Sequence, residues 1–478
     1  MRDFERRQHI VDNSPWWKHP TRWEGSDGDL RAARVNAVTQ YDPRPLEGIA
    51  PAGLFLLVGP RRSGKSVAIK RTITRLIAEG VDPRAIAFCP CETLTVQDLR
   101  RIVKLTIDIT ASIPNEDRYW FFDEITYVRQ WTEGLKQLRD GTVLRHGCVV
   151  ATGSSAAELR RARGEFGGRE GEEGSGGEIR VLLPMGFRSF LREIYPQLAA
   201  DLPTEFSALS DLQSESSHRY LTPLRPFIDD VTLAWERYLT VGGFPRAVAD
   251  VAAGGIDVSA STADGFWSIL SGDVLRVGHM SERDVKALLG RLIDGLCSPL
   301  SVTGIASVLT IGARNTVADR IDRLCASLYA WRASISHDGI LRAYGGRDKL
   351  YFIDPLITRL PALRDSRITP PVVTKLSEQQ VGNVLLRNLA IVDTNSVLDE
   401  AAILVRRNPD SGAEIDFVGD DITVPLESKY VSAGWRPERA ALLEHYQRGI
   451  VVSRDILDMS GGIWAVPAGL FAWMINDT

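Results

Sequence analysis

Residues 54–70 read LFLLVGPRRSGKSVAIK, and this stretch decides the fold of the first part of the chain. Its apolar start, Leu54–Val58, predicts a buried strand. The following residues fit the phosphate-binding pattern G-x-x-x-x-G-K-[ST] in full, and they are Gly59, Pro60, Arg61, Arg62, Ser63, Gly64, Lys65 and Ser66. Apolar residues then recur at helical spacing from Val67 until Gly80, a residue type that often ends helices.

A strand, a glycine loop and a helix form the context in which this pattern binds a nucleotide. Glycines let backbone N–H groups surround an anion, and the helix N-terminus adds a favourable dipole. We expect Lys65 to contact the outer phosphates and the hydroxyl of Ser66 to ligate Mg²⁺. The stretch therefore predicts an α/β fold whose first domain is a P-loop core built on a parallel sheet.

The composition is that of an ordinary soluble protein. The chain has 478 residues, 44% of them hydrophobic and 25% charged, with a formal net charge of -4. No apolar run reaches membrane-spanning length and the N-terminus lacks a signal-peptide core, so we expect a cytoplasmic protein with no membrane partner. Only Cys89 and Cys91 lie close together among the five cysteines, which indicates reduced thiols and no zinc site.

A second motif is the apolar run YWFFDE at residues 119–124, which ends in two acids. One further predicted strand, 85–88, lies between this run and the phosphate loop. A carboxylate at the carboxyl end of a buried strand lies where α/β sheets bind ligands. We expect Asp123 to hold the Mg²⁺ shell and Glu124 to act as the general base that polarises an attacking water.

Another predicted strand, 148–152, ends at Gly153-Ser154-Ser155. The side chain of Ser154 could contact the γ-phosphate or the attacking water. Alternatively, a serine here could cap a helix that opens at Ala156, and both interpretations stay open. Because the chain has no N-K-x-D or T-K-x-D sequence for guanine recognition, the expected nucleotide is ATP.

Residues 160–178 form a charged, glycine-dense stretch, RRARGEFGGREGEEGSGGE. Long loops of this kind are often functional or disordered. Arg163 and Arg169 are candidates for an arginine finger on the γ-phosphate, either in cis or from a neighbouring subunit of a homo-oligomer. The alternative is that both are solvated loop arginines.

A wider set of motifs runs from about residue 50 through most of the chain. Its members are Gly59-Pro60-Arg61-Arg62, Asp123-Glu124-Ile125-Thr126, Trp131, Lys136, Gly153-Ser154-Ser155-Ala156, Gly168-Arg169, Leu183-Pro184-Met185-Gly186-Phe187-Arg188, Tyr238-Leu239 and Gly242-Gly243-Phe244-Pro245. Together they resemble the bacterial and archaeal AAA-type ATPases that carry a C-terminal domain of unknown function. The resemblance implies a P-loop ATPase of the additional-strand, catalytic-glutamate class, with a winged-helix segment and a restriction-endonuclease-like C-terminal domain. The long Gly/Glu insertion after Arg169 departs from the family pattern.

The expected domain organisation has five regions. The N-terminal extension carries Trp16, Trp17 and Trp23, which we expect to pack on the core. The regions are the extension 1–45, the P-loop AAA-type core 46–190, a helical lid 191–295, a winged-helix-like domain 296–370 and a restriction-endonuclease-like domain 371–478.

The winged-helix prediction depends on the order helix, turn, helix, hairpin in residues 302–353. Its second helix, 315–328, could enter a major groove of DNA, and the hairpin turn is predicted at Asp338-Gly339. The groove-contacting residues would be Asn315, Arg320 and Arg323, whereas Asp319 and Asp322 would repel phosphate. A DNA-binding role and a structural or protein-contacting role both stay open.

The last hundred or so residues hold a second chemical pattern. Two alternating runs place Asp416 ahead of Glu427-Ser428-Lys429, which resembles the D…E-x-K centre of restriction-endonuclease-like nucleases. Asp416 and Glu427 would then hold Mg²⁺, and Lys429 would steady the attacking water. The family commonly has an acid at the helix position that Arg387 occupies here, so that acid is missing, and Glu378 could substitute for it. The alternative is a solvated strand face.

Two functions follow from these patterns. The first is an ATP-hydrolysing AAA-type enzyme that acts on or near DNA and carries a nuclease-like C-terminal domain. The second is a regulatory NTPase switch whose C-terminal modules dock to protein or DNA without catalysis.

Overall fold

The computed structural model describes residues 1–35, 38, 41–141, 144–155, 158–159, 178–205, 207–275, 280–307, 309, 314–337, 340–341, 348–392, 402–407 and 414–475. The chain divides into two compact units, Met1–Leu182 and Leu183–Thr478. We refer to them as the N-terminal unit and the C-terminal unit. No helix in the described part of the chain is both long and apolar enough to span a membrane.

The N-terminal unit is built on a five-stranded sheet. Its strands are β1 (Leu54–Val58), β2 (Ile86–Pro90), β3 (Tyr119–Asp123), β4 (Cys148–Gly153) and β5 (Glu178–Val181). They lie in the order β2-β3-β4-β1-β5, and every pairing is parallel. The first four strands were expected from apolar runs, and such runs are typical of parallel strands whose two faces are both covered. The parallel α/β core is therefore confirmed.

Within the described ranges of this unit, the helices that accompany the sheet are α1 (Asp3–Asp12), α2 (Gly28–Val35), α3 (Lys65–Ala78), α4 (Val96–Ile109) and α5 (Trp131–Asp140). Helix α3 follows the phosphate loop directly and buries one face, including Ala68, Ile69 and Ile73. Helix α4 begins after Thr95, whose side chain accepts a hydrogen bond from the backbone of Asp98 in a capping box.

The N-terminal extension packs on the edge strand β2, as expected. The indole nitrogens of Trp16 and Trp17 both donate to the carbonyl oxygen of Ile86, at 3.0 and 2.7 Å. Trp16 and Trp23 are buried and form an edge-on pair with ring centroids 4.9 Å apart. The tryptophans therefore serve as packing residues that cover the sheet edge.

The C-terminal unit begins with a largely helical region. Its helices are α6 (Phe187–Ile194), α7 (Pro196–Asp201), α8 (Glu215–Leu221), α9 (Ile228–Val241), α10 (Pro245–Ala252), α11 (Ala260–Ile269) and α12 (Glu282–Asp294). They are followed by α13 (Val302–Ala306), α14 (Arg314–Ala326), α15 (Pro355–Arg364), α16 (Val373–Val392), α17 (Arg436–His445) and α18 (Ala468–Met474). The predicted helical character of residues 191–295 is confirmed for the described residues.

The turn between α9 and α10 is fixed by a buried acid. Gly242 has φ +81°, and a Cβ at this position would collide with Asp354 Oδ1. The backbone N–H of Gly243 donates to Asp354 Oδ2 at 2.6 Å, and that of Leu356 donates to Oδ1 at 2.9 Å. Gly242 is therefore required because a carboxylate approaches its backbone closely, and Gly243 because a Cβ there would collide with the carbonyl oxygen of Met185.

A mixed eight-stranded sheet forms the rest of this unit. Its strands are β6 (Ala330–His337), β7 (Ile340–Leu341), β8 (Lys349–Phe352), β9 (Leu404–Arg407), β10 (Glu414–Gly419), β11 (Ile422–Ser428), β12 (Gly449–Ser453) and β13 (Ile463–Pro467). The order is β13-β12-β11-β10-β9-β6-β7, and β8 pairs with β6.

This sheet joins the segment predicted as a winged helix to the C-terminal segment. Strand β6 pairs antiparallel with β8 and parallel with β9. The predicted turn at Asp338-Gly339 lies outside the described residues. The winged-helix and restriction-endonuclease-like assignments, and the boundaries of the smaller domains, stay predictions.

Candidate functional site

The phosphate loop connects β1 to α3 in a conformation that requires glycine. A Cβ on Gly59 would collide with the carbonyl oxygen of Leu182, and Gly64 has φ +102°. Ser63 is fully buried, and within the described part of the chain no partner for its Oγ lies at hydrogen-bonding distance. The loop therefore brings its backbone close to the space in front of α3, with one hydroxyl left for a ligand.

Lys65 opens helix α3 and is 5% exposed. Its ammonium donates to the carbonyl oxygens of Gly59 and Pro60 at 2.9 and 3.2 Å, and it lies 3.5 Å from Glu124 Oε1. Burial lowers the pKa of Lys65, and the charges of Glu124 and Asp123 oppose that shift. The cation is therefore bonded to two backbone carbonyl oxygens of the loop and lies within ion-pair distance of Glu124.

Asp123 ends strand β3 and faces the start of α3. The hydroxyl of Ser66 donates to Asp123 Oδ2 at 2.7 Å. A hydroxyl and a carboxylate oxygen in contact at the end of the phosphate loop are the donor set that Mg²⁺ takes beside a nucleotide. The residues present therefore fit Mg²⁺, and the role of Ser66 and Asp123 as its ligands stays a prediction.

Thr152, near the end of β4, is a site residue that the sequence analysis missed. It is fully buried, and its hydroxyl donates to Asp123 Oδ1 at 2.6 Å. The hydroxyl oxygen of Thr152 in turn accepts the backbone N–H of Glu124 at 2.9 Å. One hydroxyl thus fixes both acids of the second motif. The signal in the sequence that could have identified Thr152 is a polar residue at the end of an otherwise apolar strand.

Glu124 has an unfavourable backbone conformation, which is common at functional sites. Its φ is +52°, in the left-handed region that non-glycine residues rarely adopt. Its Oε2 is buried, and the described residues supply it with no hydrogen-bond donor. A buried carboxylate oxygen with an unused acceptor position can take a proton from a water molecule.

The segment after Glu124 lies against the end of β4 because Gly153 has no side chain. A Cβ there would be 2.5 Å from Thr126 Cγ2. The next residue, Ser154, is half-buried. The hydroxyl of Ser155 accepts the backbone N–H of Glu158 at 3.3 Å, which is a capping contact. A catalytic role for Ser154 stays a prediction.

Of the remaining P-loop candidates, Arg61 places its guanidinium 5.8 Å from the ring centroid of Tyr127. Arg62 has φ +68°. Arg163 and Arg169 lie outside the described residues, so an arginine finger stays a prediction.

In the C-terminal unit, the structure brings together the acids of the second pattern. The backbone N–H of Asp416 donates to Glu427 Oε2 at 3.3 Å, and that of Ser428 donates to Asp416 Oδ2 at 3.0 Å. Asp416 lies on β10 and Glu427 on β11, which are antiparallel neighbours. Their proximity therefore follows from the register of two adjacent strands.

A lysine from strand β8 lies inside this group of acids. Lys349 is 1% exposed. Its ammonium is 2.5 Å from Glu414 Oε1, 2.8 Å from Asp416 Oδ1 and 3.1 Å from Glu378 Oε1. Sequence analysis missed Lys349 because it lies far from the other residues along the chain. Glu378, expected as a substitute helix acid, does face Asp416, across this ammonium. We call Lys349, Glu378, Glu414, Asp416 and Glu427 the carboxylate cluster.

Proton affinities in the carboxylate cluster reflect burial and crowding. Burial, together with the charge of Asp416, raises the pKa of Glu378 to about 7 and that of Glu427 to about 10. Burial lowers the pKa of Lys349, but the charges of its carboxylate neighbours outweigh burial and raise that pKa above its usual value. The ammonium is therefore charged at any physiological pH.

Lys429 lies apart from the acids with which the sequence analysis grouped it. Its side chain is 46% exposed, and its ammonium is 2.9 Å from Glu438 Oε1 on α17. Among the described residues, no group of three or more His, Cys, Asp or Glu side chains has an arrangement that could hold a metal ion. Because the ammonium of Lys349 lies among these acids, the carboxylate cluster as folded does not fit the divalent ion that the nuclease resemblance implies.

The arginines proposed for a DNA groove, Arg320 and Arg323, are engaged with an acid of their own helix, α14. Arg320 is buried and bonded to Asp319, and Arg323 Nε lies 3.0 Å from Asp319 Oδ2. Arg332 pairs with Asp322. DNA binding by this helix stays a prediction.

Comparison with known proteins identifies the region that contains the phosphate loop. Residues 52–191 match the family model described as an AAA domain. This chain contains an AAA-type P-loop ATPase domain. That result confirms the coarse part of the resemblance, and the identity of the C-terminal region stays a prediction.

Two solved structures share limited similarity with the chain. The Walker-type ATPase PABY2304 of Pyrococcus abyssi is 14% identical, with 70% of this chain and 93% of that chain covered at a TM-score of 0.40. PCH-2 of C. elegans is 14% identical, with 49% of this chain and 64% of that chain covered at a TM-score of 0.27. Comparison with curated proteins finds no match.

Proposed function

We propose that the AAA domain binds ATP with Mg²⁺ and hydrolyses the terminal phosphate. The observation that carries this proposal is the joined network Ser66–Asp123–Thr152–Glu124 at the mouth of the phosphate loop. It joins Asp123, the proposed metal ligand, to Glu124, the proposed base, and Lys65 lies 3.5 Å from Glu124.

Each residue has a defined task in this proposal. Lys65 exchanges its bonds to the carbonyls of Gly59 and Pro60 for the outer phosphate oxygens. Ser66 and Asp123 would hold Mg²⁺, which neutralises the charge that develops on those oxygens during transfer. Glu124 orients the attacking water and accepts its proton.

The test separates binding from chemistry. Lys65→Ala removes the cation that faces the phosphates, so ATP binding should weaken sharply. Glu124→Gln keeps the shape but loses the base, so it should bind ATP normally and hydrolyse it roughly 10²-fold more slowly or worse. Binding is measured by equilibrium titration and turnover by phosphate release. Wild-type turnover by Glu124→Gln would contradict the assignment of the base.

The proposal also includes an arginine finger on the γ-phosphate, which a neighbouring subunit of a homo-oligomer could supply. If Arg163 or Arg169 acts from a neighbouring subunit, the ATPase rate per chain should rise with protein concentration. Replacing the correct arginine should lower turnover and leave ATP affinity nearly unchanged. A rate per chain that does not depend on concentration, with both variants fully active, would remove the idea.

Action on DNA is the second candidate function. It is supported by the succession of helices α13 and α14 and the antiparallel strands β6 and β8, the order expected of a winged helix. It is weakened by the ion pairs between Asp319 and both Arg320 and Arg323. Binding of labelled DNA should fall steeply with salt if the proposal holds, and ATPase assays with single- and double-stranded DNA would reveal coupling.

Nuclease activity is the least supported part of the resemblance. Its test is nicking of DNA by the full-length protein with Mn²⁺, in the presence and absence of ATP. Nicking that disappears in Asp416→Ala, with the ATPase rate intact, would establish it. Without nicking, the C-terminal unit fits the alternative of a docking module attached to a regulatory ATPase.

A further inference from the structure

We propose that Lys349 is the resident cation of the carboxylate cluster and that it takes the place a divalent metal would need. The C-terminal unit would then use these acids as an internal ion-pair cluster, not as a metal centre. This inference does not depend on the proposed ATP hydrolysis, because it concerns only residues of the C-terminal unit.

Three carboxylates surround the ammonium, Glu378 and Asp416 as hydrogen-bond acceptors and Glu414 as an ion-pair partner. A lysine ammonium has three N–H donors. Lys349 Nζ lies 2.5, 2.8 and 3.1 Å from oxygens of Glu414, Asp416 and Glu378. These are distances of charge-assisted N–H···O bonds, whereas Mg²⁺ requires oxygen ligands at about 2.0–2.1 Å. The acids are therefore arranged for an ammonium.

The lysine backbone is fixed in place by structure on both sides. Lys349 pairs with Ala333 of β6 and forms an isolated bridge with Pro299. Next to it, the backbone N–H of Leu300 donates to the carbonyl of Asp348 at 2.8 Å. With 1% exposure, the side chain lies fully inside the unit. Its position among the acids is therefore built into the sheet.

The acids are fixed as firmly as the lysine. Tyr351 Oη donates to Glu378 Oε1 at 2.9 Å, so two side chains of β8 hold the same carboxylate. Helix α16 also bonds to β8 through Gln379, which accepts the N–H of Phe352 at 3.0 Å. A Cβ on Gly382 would come within 2.8 Å of Phe417, which shows how closely this helix lies on β10. The cluster therefore ties α16, β8 and β10 together.

A divalent ion placed among these oxygens would face the ammonium at short range. Two cations within a few ångströms repel strongly in a site that excludes water. Lys429, the residue that the nuclease pattern would supply, is instead paired with Glu438. Removing the charge of Lys349 should therefore convert the cluster from an ion-pair cluster into a site for a divalent cation.

The first arm of the test uses Mn²⁺ alone and the nucleotide-free, full-length protein. Calorimetric titration of the wild type and of Asp416→Asn should give the same Mn²⁺ heat, since the cluster contributes no site. Mn²⁺ binding by the wild type that Asp416→Asn removes would overturn the proposal. This arm needs no change at Lys349.

The second arm creates the site. Lys349→Met, matched in length to lysine, should gain one Mn²⁺ site per chain, and the melting temperature of this variant should rise with Mn²⁺. The double variant Lys349→Met/Asp416→Asn should lose that gain, and Lys429→Met should show none. A folded Lys349→Met that binds no more Mn²⁺ than the wild type would overturn the proposal. If Lys349→Met does not fold, the first arm decides.

Discussion

The two units of this protein each bury a lysine beside carboxylates, and the two lysines are held in opposite ways. Lys65 donates to two backbone carbonyls, and its distance to Glu124 is 3.5 Å. Lys349 contacts three carboxylates at 3.1 Å or less. In the first case Asp123, the acid proposed to hold the metal, accepts hydrogen bonds from the hydroxyls of Ser66 and Thr152.

This difference teaches that acids near a lysine do not by themselves define a metal site. Hydroxyl groups orient Asp123 but leave its negative charge available to a cation that arrives with the nucleotide. An ammonium that contacts Asp416 directly neutralises the charge on which a metal would depend. The groups that hold each acid decide which of the two regions can accept a divalent ion.

The largest expected effect tests the two lysines against each other. Lys349→Met should lower the free energy of unfolding by about 3–5 kcal/mol, because it leaves buried carboxylates without their cation. Lys65→Met, measured without nucleotide, should change stability by only about 1 kcal/mol, because the loss of hydrogen bonds to two carbonyl oxygens is offset by the removal of a buried charge. Differential scanning calorimetry of both variants measures this contrast. Equal losses would contradict it.

The next effect concerns Thr152, whose hydroxyl donates to Asp123. Thr152→Val keeps the shape of the side chain but removes the hydroxyl bonded to both acids. Losing a hydrogen bond to a charged group costs about 1.5–3 kcal/mol, so turnover should fall by roughly 10- to 100-fold.

A merely structural role of Thr152 would not change the metal requirement. If Thr152 positions Asp123, the Mg²⁺ concentration for half-maximal rate should rise in Thr152→Val and return towards the wild-type value in Thr152→Ser. An unchanged Mg²⁺ requirement would count against a positioning role.

A smaller effect tests a buried acid held by backbone amides. Burial raises the pKa of Asp354 to about 7 from its usual value of 3.8. The folded state therefore keeps a proton that the unfolded state releases, and this group destabilises the fold as pH rises from about 4 to about 7. The slope is at most about 1.4 kcal/mol per pH unit.

Asp354→Asn isolates this contribution. The free energy of unfolding of the wild type minus that of Asp354→Asn should fall as pH rises through this range, as measured by denaturant titration. A difference that stays constant, or rises, would show that Asp354 ionises normally inside the fold.

The smallest effect is expected at Lys429. Its ion pair with Glu438 is half exposed, and such surface pairs contribute about 0–1 kcal/mol. Lys429→Ala should therefore leave both the melting temperature and the ATPase rate close to those of the wild type. A loss as large as that of Lys349→Met would show that the wrong lysine has been assigned to the acids.

The sequence by itself determined the AAA domain. The strand Leu54–Val58, the loop that follows it and the acids Asp123 and Glu124 are written in contiguous residues. Apolar runs specify buried strands, and only glycine permits a positive φ or a close approach of backbone, so these features need no distant partner to be recognised. The strands that carry Asp416 and Glu427 were predicted from the alternation of apolar and polar residues, which is also a local pattern.

Only the tertiary structure decided how the acids are held. Thr152 meets Asp123 because β4 lies beside β3, and Lys349 meets Asp416 because β8, β6 and β10 belong to one sheet. Asp354 closes on Gly242 and Gly243 from more than a hundred residues away. Side-chain pairing over such separations depends on strand order and register, which cannot be read from a single sequence. The charge state of each acid and its ability to bind a metal depend in turn on that pairing.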